Sequence, residues 1–259
     1  MNRLQLDVAL EARSRTTPSQ NTAKQQDSIH HRFFIPLHYE KNYAYPLLVW
    51  LHGPTGGEHE INQVMPHISV RNYVGVSPRG AVKHSATHQN GDPTFTWDQS
   101  ERSVEEALEN VLECISRAKQ RFNIADDRVF LAGNDVGGTM ALRLALTHPE
   151  HFAGVASIGG TIPNARQPLA FLDQARSMPV MLLQGRDSVE YETQDVCRDL
   201  RLLHAAGMSA AIHQYPCEQE VTTKMLSDLN SWIMERVSGV PATAGCYDDP
   251  TRMRIHDCN

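Results

Sequence analysis

Gly133-Asn134-Asp135-Val136-Gly137 is the stretch of this chain whose residue types and spacing point most directly to chemistry. It follows the apolar run Val129-Phe130-Leu131-Ala132, entered from Arg128, and leads into the small, apolar segment 139–146. That order predicts a strand, a tight turn and a helix. Gly133 and Gly137 let the backbone turn sharply enough to lift residue 135 above a sheet. A serine on such a turn attacks a carbonyl carbon once an imidazole takes its proton. A carboxylate there can instead attack an alkyl carbon to give an ester, which needs an activated water for release.

The elements that must carry this turn can be read from apolar periodicity. Tyr45-Pro46-Leu47-Leu48-Val49-Trp50-Leu51 is too continuously apolar for a half-wet strand and reads as the interior of a sheet covered on both faces. Further strands are expected at 31–36, 73–77, 128–132, 154–158, 179–183 and 210–215. After Trp97, Asp98 and Glu101 offer a capping box, and Val104, Leu108, Val111, Leu112 and Ile115 recur on one helical face. Glu105, Glu106, Glu109 and Arg117 then face water. Helices are also expected at 139–146, at 193–206 with Val196, Leu200 and Leu203 on one stripe, and at 222–234 with Leu226, Leu229 and Ile233. This alternation predicts an α/β fold, a mostly parallel central sheet covered by helices on both faces.

Composition narrows the class. With 259 residues, 41% hydrophobic and 21% charged, the chain suits one domain with a sizeable core, expected over 31–238. Residues 1–30 read as a polar N-terminal extension and 239–259 as a tail over the surface. Lys and Arg total 24 against 30 Asp and Glu, for a net charge of −6, and there is no dense basic stripe. Nucleic acid is therefore not an expected partner. No apolar run approaches the roughly 18 residues that span a bilayer, so no signal peptide, no membrane insertion and a cytoplasmic placement are expected. Cys114, Cys197, Cys217, Cys246 and Cys258 are scattered without a Cys-x-x-Cys spacing and read as separate thiols, with Cys246–Cys258 pairing as the oxidised alternative. No cofactor is called for, and the residues specify neither a protein partner nor an oligomeric state.

Four motifs in chain order resemble the α/β-hydrolase superfamily, nearest to its compact phospholipase/carboxylesterase and dienelactone-hydrolase-like members. They are Leu51-His52-Gly53, Gly133-x-Asp135-x-Gly137, Gly185-Arg186-Asp187 and Tyr215-Pro216-Cys217-Glu218-Gln219-Glu220, and together they span residues 31 to 236. The resemblance implies an α/β-hydrolase fold and places Asp135 in the nucleophile seat, Asp187 in the acid seat and Gln219 where such proteins carry histidine. Glutamine has no titratable proton near neutral pH and cannot relay one. His213 falls on a predicted strand, His204 on a predicted helix, and His84 and His88 in the long loop expected before Trp97. They read as core or surface histidines rather than as a relocated base.

The resemblance also implies an oxyanion hole built from the amide after His-Gly and from Val136. The first position is Pro54, which has no N–H, and losing one such donor typically costs about 2.7–4 kcal/mol of transition-state stabilisation. Thr55, Gly56 or Gly57 could replace it through a shift of the loop. Gln219 is expected to donate its amide hydrogens to Asp187 and Asp135, which lowers the cost of placing two carboxylates together. All three are expected to meet at the C-terminal edge of the sheet. His52, His84, His88, Trp97 and Glu218 are candidates for the pocket wall, and no dedicated metal site is expected. The functional expectation is an α/β-hydrolase-like protein with an inactive esterase centre kept for binding a small molecule or for another interaction. The alternative is a hydrolase of carboxylic esters or related small substrates that uses Asp135 or relocated groups.

Overall fold

The structure is a computed structural model that describes residues 29–87, 93–162, 172–240 and 252–253. From its first described residues the chain forms β1 (His31–Phe34), β2 (Tyr45–Leu51), α1 (Ile61–Ile68) and β3 (Val74–Pro78), then a hairpin of β4 (Val82–Thr87) and β5 (Pro93–Thr96). There follow α2 (Glu101–Arg121), β6 (Ile124–Asn134), α3 (Val136–Thr147), β7 (Gly154–Ile158) and the short α4 (Leu172–Ala175). The chain continues through β8 (Val180–Gly185), α5 (Thr193–Ala205), β9 (Ala210–Tyr215), α6 (Thr223–Ser238) and β10 (Arg252–Met253). Eight strands make one sheet in the order β1-β3-β2-β6-β7-β8-β9-β10. The strands from β3 to β9 are parallel, and β1 and β10 are added antiparallel at the two edges.

All seven residues of β2 are buried because both faces of the sheet are covered. Leu47, Val49 and Leu51 pack on one side with Val111, Cys114 and Ala118 of α2, Met140 and Leu144 of α3, and Val196, Leu200 and Leu203 of α5. Leu48 and Trp50 pack on the other with Ile61, Val64 and Met65 of α1 and Leu226, Leu229, Trp232 and Ile233 of α6. Each fully buried side chain of this size contributes about 1.5–3 kcal/mol, so the central strands are the least deformable part of the molecule.

Several sequence expectations are corrected. The segment before Trp97 is not a plain loop: β4 and β5 pair as Val82↔Thr96 and Lys83↔Phe95, where β-branched and aromatic residues favour extended backbone. The capping box does not form. Ser100 stands at the N-cap of α2 without a side-chain cap bond, and Asp98 instead accepts from the hydroxyls of Ser100 and of Ser103, the latter at 2.9 Å. The helix α1 was not legible because Pro66 near its end reads as a breaker. Cys114 and Cys217 are free, whereas Cys197 is disulfide-bonded, so the reading of separate thiols fails at that position. The N-terminal extension lies almost wholly outside the described residues, as do Cys246, Cys258 and most of the tail. No helix among the described residues is long and apolar enough to cross a membrane.

Candidate active site

The end of β6 and the start of α3 build the elbow. Asp135 holds φ 52° and ψ −120°, a conformation that side chains other than glycine rarely adopt. Strain of this kind costs about 1–3 kcal/mol and persists only where the surroundings enforce it. Two backbone bonds do so: Asp135 N–H donates to the Ile158 carbonyl at 2.8 Å, and Thr139 N–H donates to the Asp135 carbonyl at 2.9 Å. Close approach explains the flanking glycines. A methyl at Gly137 would stand 2.3 Å from the His52 carbonyl oxygen, and one at Gly133 would stand 2.4 Å from that of Gly137.

The half-buried Asp135 carboxyl titrates above the usual aspartate range. Burial is the main cause and the charge of Glu190 adds to it, while the neighbouring Val136 amide and Gln219 side chain oppose them. Gln219 therefore lies close to Asp135, but it donates a hydrogen bond to neither of its expected partners, Asp135 or Asp187. Its Nε2 donates to the Gly159 carbonyl at 3.1 Å, and its Oε1 accepts from the Ser188 hydroxyl at 2.5 Å. Asp187 is an exposed side chain whose carboxylate lies 3.6 Å from Arg186 Nε. Only its backbone joins the site: its N–H donates to the Cys217 carbonyl at 3.0 Å, beside the Arg186 N–H to Tyr215 carbonyl bond of 2.7 Å. The loop after β8 and the loop after β9 thus meet at the sheet's C-terminal edge, with the acid turned out and a serine turned in.

Of the two expected oxyanion positions, Pro54 has no N–H to offer, and Val136 opens α3 directly after Asp135. Pro54 instead lines a cavity of about 860 Å³ with Gly53, Thr55, Gly57, Glu60, Arg79, Phe95 and Asn134. Glu60 is held there by Trp50 Nε1–H at 2.9 Å and Gly53 N–H at 3.1 Å, and burial lifts its carboxyl above the ordinary range. Burial also acts to raise Glu58, but the two-pronged Arg79 guanidinium outweighs it and leaves that carboxyl below the ordinary range. Arg79 also stacks 4.5 Å from the centre of the Phe95 ring. Asn134 Oδ1 is buried without a hydrogen-bond partner.

His52 does not line this cavity. It is fully buried, and burial pushes its imidazole down to about 4. Its Nε2 accepts from Gly80 N–H at 2.8 Å, its Nδ1 faces the Gly53 carbonyl at 2.8 Å, and its own carbonyl accepts from Trp97 Nε1–H at 3.0 Å. His52 and the buried Trp97 therefore anchor the segment around Gly80 beneath the site instead of forming its wall. Glu218 is exposed and does not line the cavity either. His213 sits on β9 opposite Arg252, and His204 is an exposed residue of α5. Among the described side chains that act on Asp135 there is no imidazole. His88 and the His84 side chain fall outside the described residues. No group of His, Cys, Asp or Glu suited to a metal ion occurs among the described residues. Ser188, Glu190 and Glu60 were not singled out from sequence, because none belongs to a motif, and Asn134 was quoted only as part of the elbow at the end of β6.

Comparison with known proteins follows from this geometry. The esterase family, described as "Putative esterase", matches residues 22–235. A curated relative, "Putative esterase NocK" of Nocardia uniformis subsp. tsuyamanensis, is 30% identical over 143 residues, 54% of this chain and only 39% of that protein. Among solved structures, SOBER1 of Arabidopsis thaliana superposes with a TM-score of 0.62 at 22% identity, covering 75% of this chain and 100% of that one. The Bacillus cereus carboxylesterase gives 0.62 at 17% identity, with 82% and 97% covered. The carboxylesterase from Mesorhizobium loti gives 0.60 at 17%, with 74% and 90% covered. At these identities the structural likeness establishes the fold.

Proposed function

Because the chain belongs to the esterase family, we propose that it keeps the family's fold and pocket for binding a small molecule while its elbow no longer performs serine-type ester hydrolysis. The observation that carries this reading is the set of partners around Asp135. The Val136 amide and the Gln219 side chain are the polar groups that lie beside the residue proposed for the nucleophile seat, and neither can take up a proton near neutral pH. Acyl transfer needs a nucleophile, a proton relay and an oxyanion site at once. Here the first is a carboxylate, the second an amide, and the third has a proline at one of its two positions. The cavity of about 860 Å³ beside the elbow is of ligand-binding size. It offers the Arg79 and Glu58 charges, the Phe95 face and the Gln63 amide as recognition groups.

The test is to offer the purified protein short p-nitrophenyl esters and a serine-directed fluorophosphonate, with Asp135→Asn as the matched blank. The expected result is no turnover above the blank and no label. Turnover that Asp135→Asn abolishes overturns the reading. Thermal-shift screening against small carboxylic acids and esters then looks for the ligand, and a ligand whose stabilisation is lost in Arg79→Ala supports the cavity as its site.

A second reading has one observation in its favour: Asp135 retains the strained elbow backbone and a half-buried carboxyl whose raised affinity for protons also makes its ionised form a better nucleophile. With an alkyl halide, a carboxylate oxygen forms a C–O bond as the C–halogen bond breaks, and the halide leaves with the electron pair. The resulting ester would persist, since Gln219 cannot activate water for its release. An adduct confined to Asp135 by intact-mass measurement and peptide mapping supports this chemistry, and an unmodified Asp135 removes it.

A further inference from the structure

We infer that Ser188, and not Asp187, is the positioning residue for Gln219, and that its hydroxyl fixes which end of the amide faces Asp135. The arrangement has a single consistent polarity. Tyr191 N–H donates to Ser188 Oγ at 3.2 Å, which leaves the Ser188 hydroxyl proton to be donated onward to Gln219 Oε1. The amide nitrogen is thereby turned to the opposite side, where one N–H meets the Gly159 carbonyl at 3.1 Å and the side chain lies beside Asp135 without a hydrogen bond to it. A flipped amide would set Oε1 against the Gly159 carbonyl and the Asp135 carboxylate, two acceptors with no proton between them.

The surroundings give this polarity little freedom. Ser188 is buried, and its N–H is tied to the Gly185 carbonyl at 3.2 Å. Tyr191 is buried and held at both ends. Its carbonyl accepts from Gln184 Nε2, which belongs to the core strand β8, and its hydroxyl donates to the buried Asp199 at 2.8 Å. Gly159 has φ 66°, and a methyl there would stand 2.8 Å from Gln219 Nε2, so the amide approaches as closely as bare backbone allows. In an acid–imidazole pair the acid orients its partner by accepting a proton bond. Here a hydroxyl orients an amide by donating one, and Asp187 is left free to turn to solvent beside Arg186.

The inference rests on the binding-site reading only in taking Asp135 as the centre of the site. Its test reads ionisation and uses neither ester turnover nor a bound ligand, so the two can fail separately. In protein labelled with ¹³C at aspartate carboxyls, Asp135 is assigned with Asp135→Asn and titrated. Ser188→Ala is expected to shift its midpoint upward to where Gln219→Ala places it. Ser188→Thr should restore the original value, and Asp187→Asn should not raise it. An unchanged midpoint in Ser188→Ala or in Gln219→Ala, or an upward shift in Asp187→Asn, overturns the inference. Should Ser188→Ala fail to fold, the Gln219 side-chain NH₂ of the unaltered protein decides: solvent exchange far slower than that of free glutamine is expected, and exchange at the free rate overturns it.

Discussion

The N–H of Asp135 donates to the carbonyl of Ile158 at 2.8 Å, which pins the elbow residue to the end of β7. Its side chain makes no capping bond to α3, so exchanging that side chain should leave the turn in place. This relationship sets the first expectation for redesign.

Replacing Asp135 by serine supplies a hydroxyl nucleophile, yet it supplies no base. Asp135→Ser alone is expected to stay inert toward fluorophosphonate, whereas Asp135→Ser with Gln219→His should label, since positioned general-base help contributes about 10²–10⁴-fold. Adding Pro54→Gly restores a potential second donor and should raise p-nitrophenyl ester turnover by a further factor of about 10²–10³. Equal labelling of the single and double serine variants would contradict the assignment of Gln219 to the base position.

Asp135 binds its proton more tightly in the fold than in the unfolded chain, because burial and Glu190 disfavour the charged form. Its contribution to stability is present below the ordinary aspartate pKa of 3.8 and is lost as pH rises through the raised value. Asp135→Asn should therefore be more stable than the parent at neutral pH, with the gap closing as pH falls toward the ordinary carboxylate range. Urea melts at several pH values test this. A gap that widens on acidification contradicts it.

His52 has the opposite sign. Its folded pKa is pushed from 6.5 down to about 4, so its stabilising effect is complete above the unfolded value and is lost as pH falls through that window. The expected loss approaches about 1.4 kcal/mol per pH unit within the window for one uncompensated proton. His52→Gln, which keeps a donor and an acceptor, should flatten that slope while lowering neutral stability through its bond to Gly80. An acid slope identical to the parent's would show that another group carries it.

Gly185 has no room for a side chain: a methyl there would stand 1.6 Å from the Glu218 carbonyl oxygen. Gly185→Ala should cost about 1–3 kcal/mol through forced backbone movement and loosen the loop that holds Cys217. Burial, then Glu220 and Asp187, keep that thiol poorly ionised. Its alkylation rate should consequently rise in the variant, and denaturant melts with thiol-labelling kinetics give both numbers.

The sheet was legible because its signal is local and dense. The run from Tyr45 to Leu51 and the alternation of apolar stripes with short apolar runs leave one economical architecture. The elbow was legible for a related reason, since Gly133 and Gly137 are demanded by contacts within a few residues and with β2. The roles of Asp187 and Ser188 were not. Adjacent residues on a loop project to different sides, and which one faces Gln219 is decided by Tyr191 and Gln184, whose packing leaves no periodic trace. His52 misled for a similar reason. An imidazole next to a pocket-forming glycine looks like a site residue until its burial beneath Gly80 and Trp97 is seen.

The two residues of β10 pair with His213 and Ile212 of β9, the last of the parallel strands. A bare strand edge offers its backbone donors and acceptors to any other chain that can lie alongside. Arg252 and Met253 occupy part of that edge from within the same molecule. Trimming the chain before Arg252 is therefore expected to bare those backbone groups and to favour strand-to-strand self-association, which sedimentation at rising concentration would show.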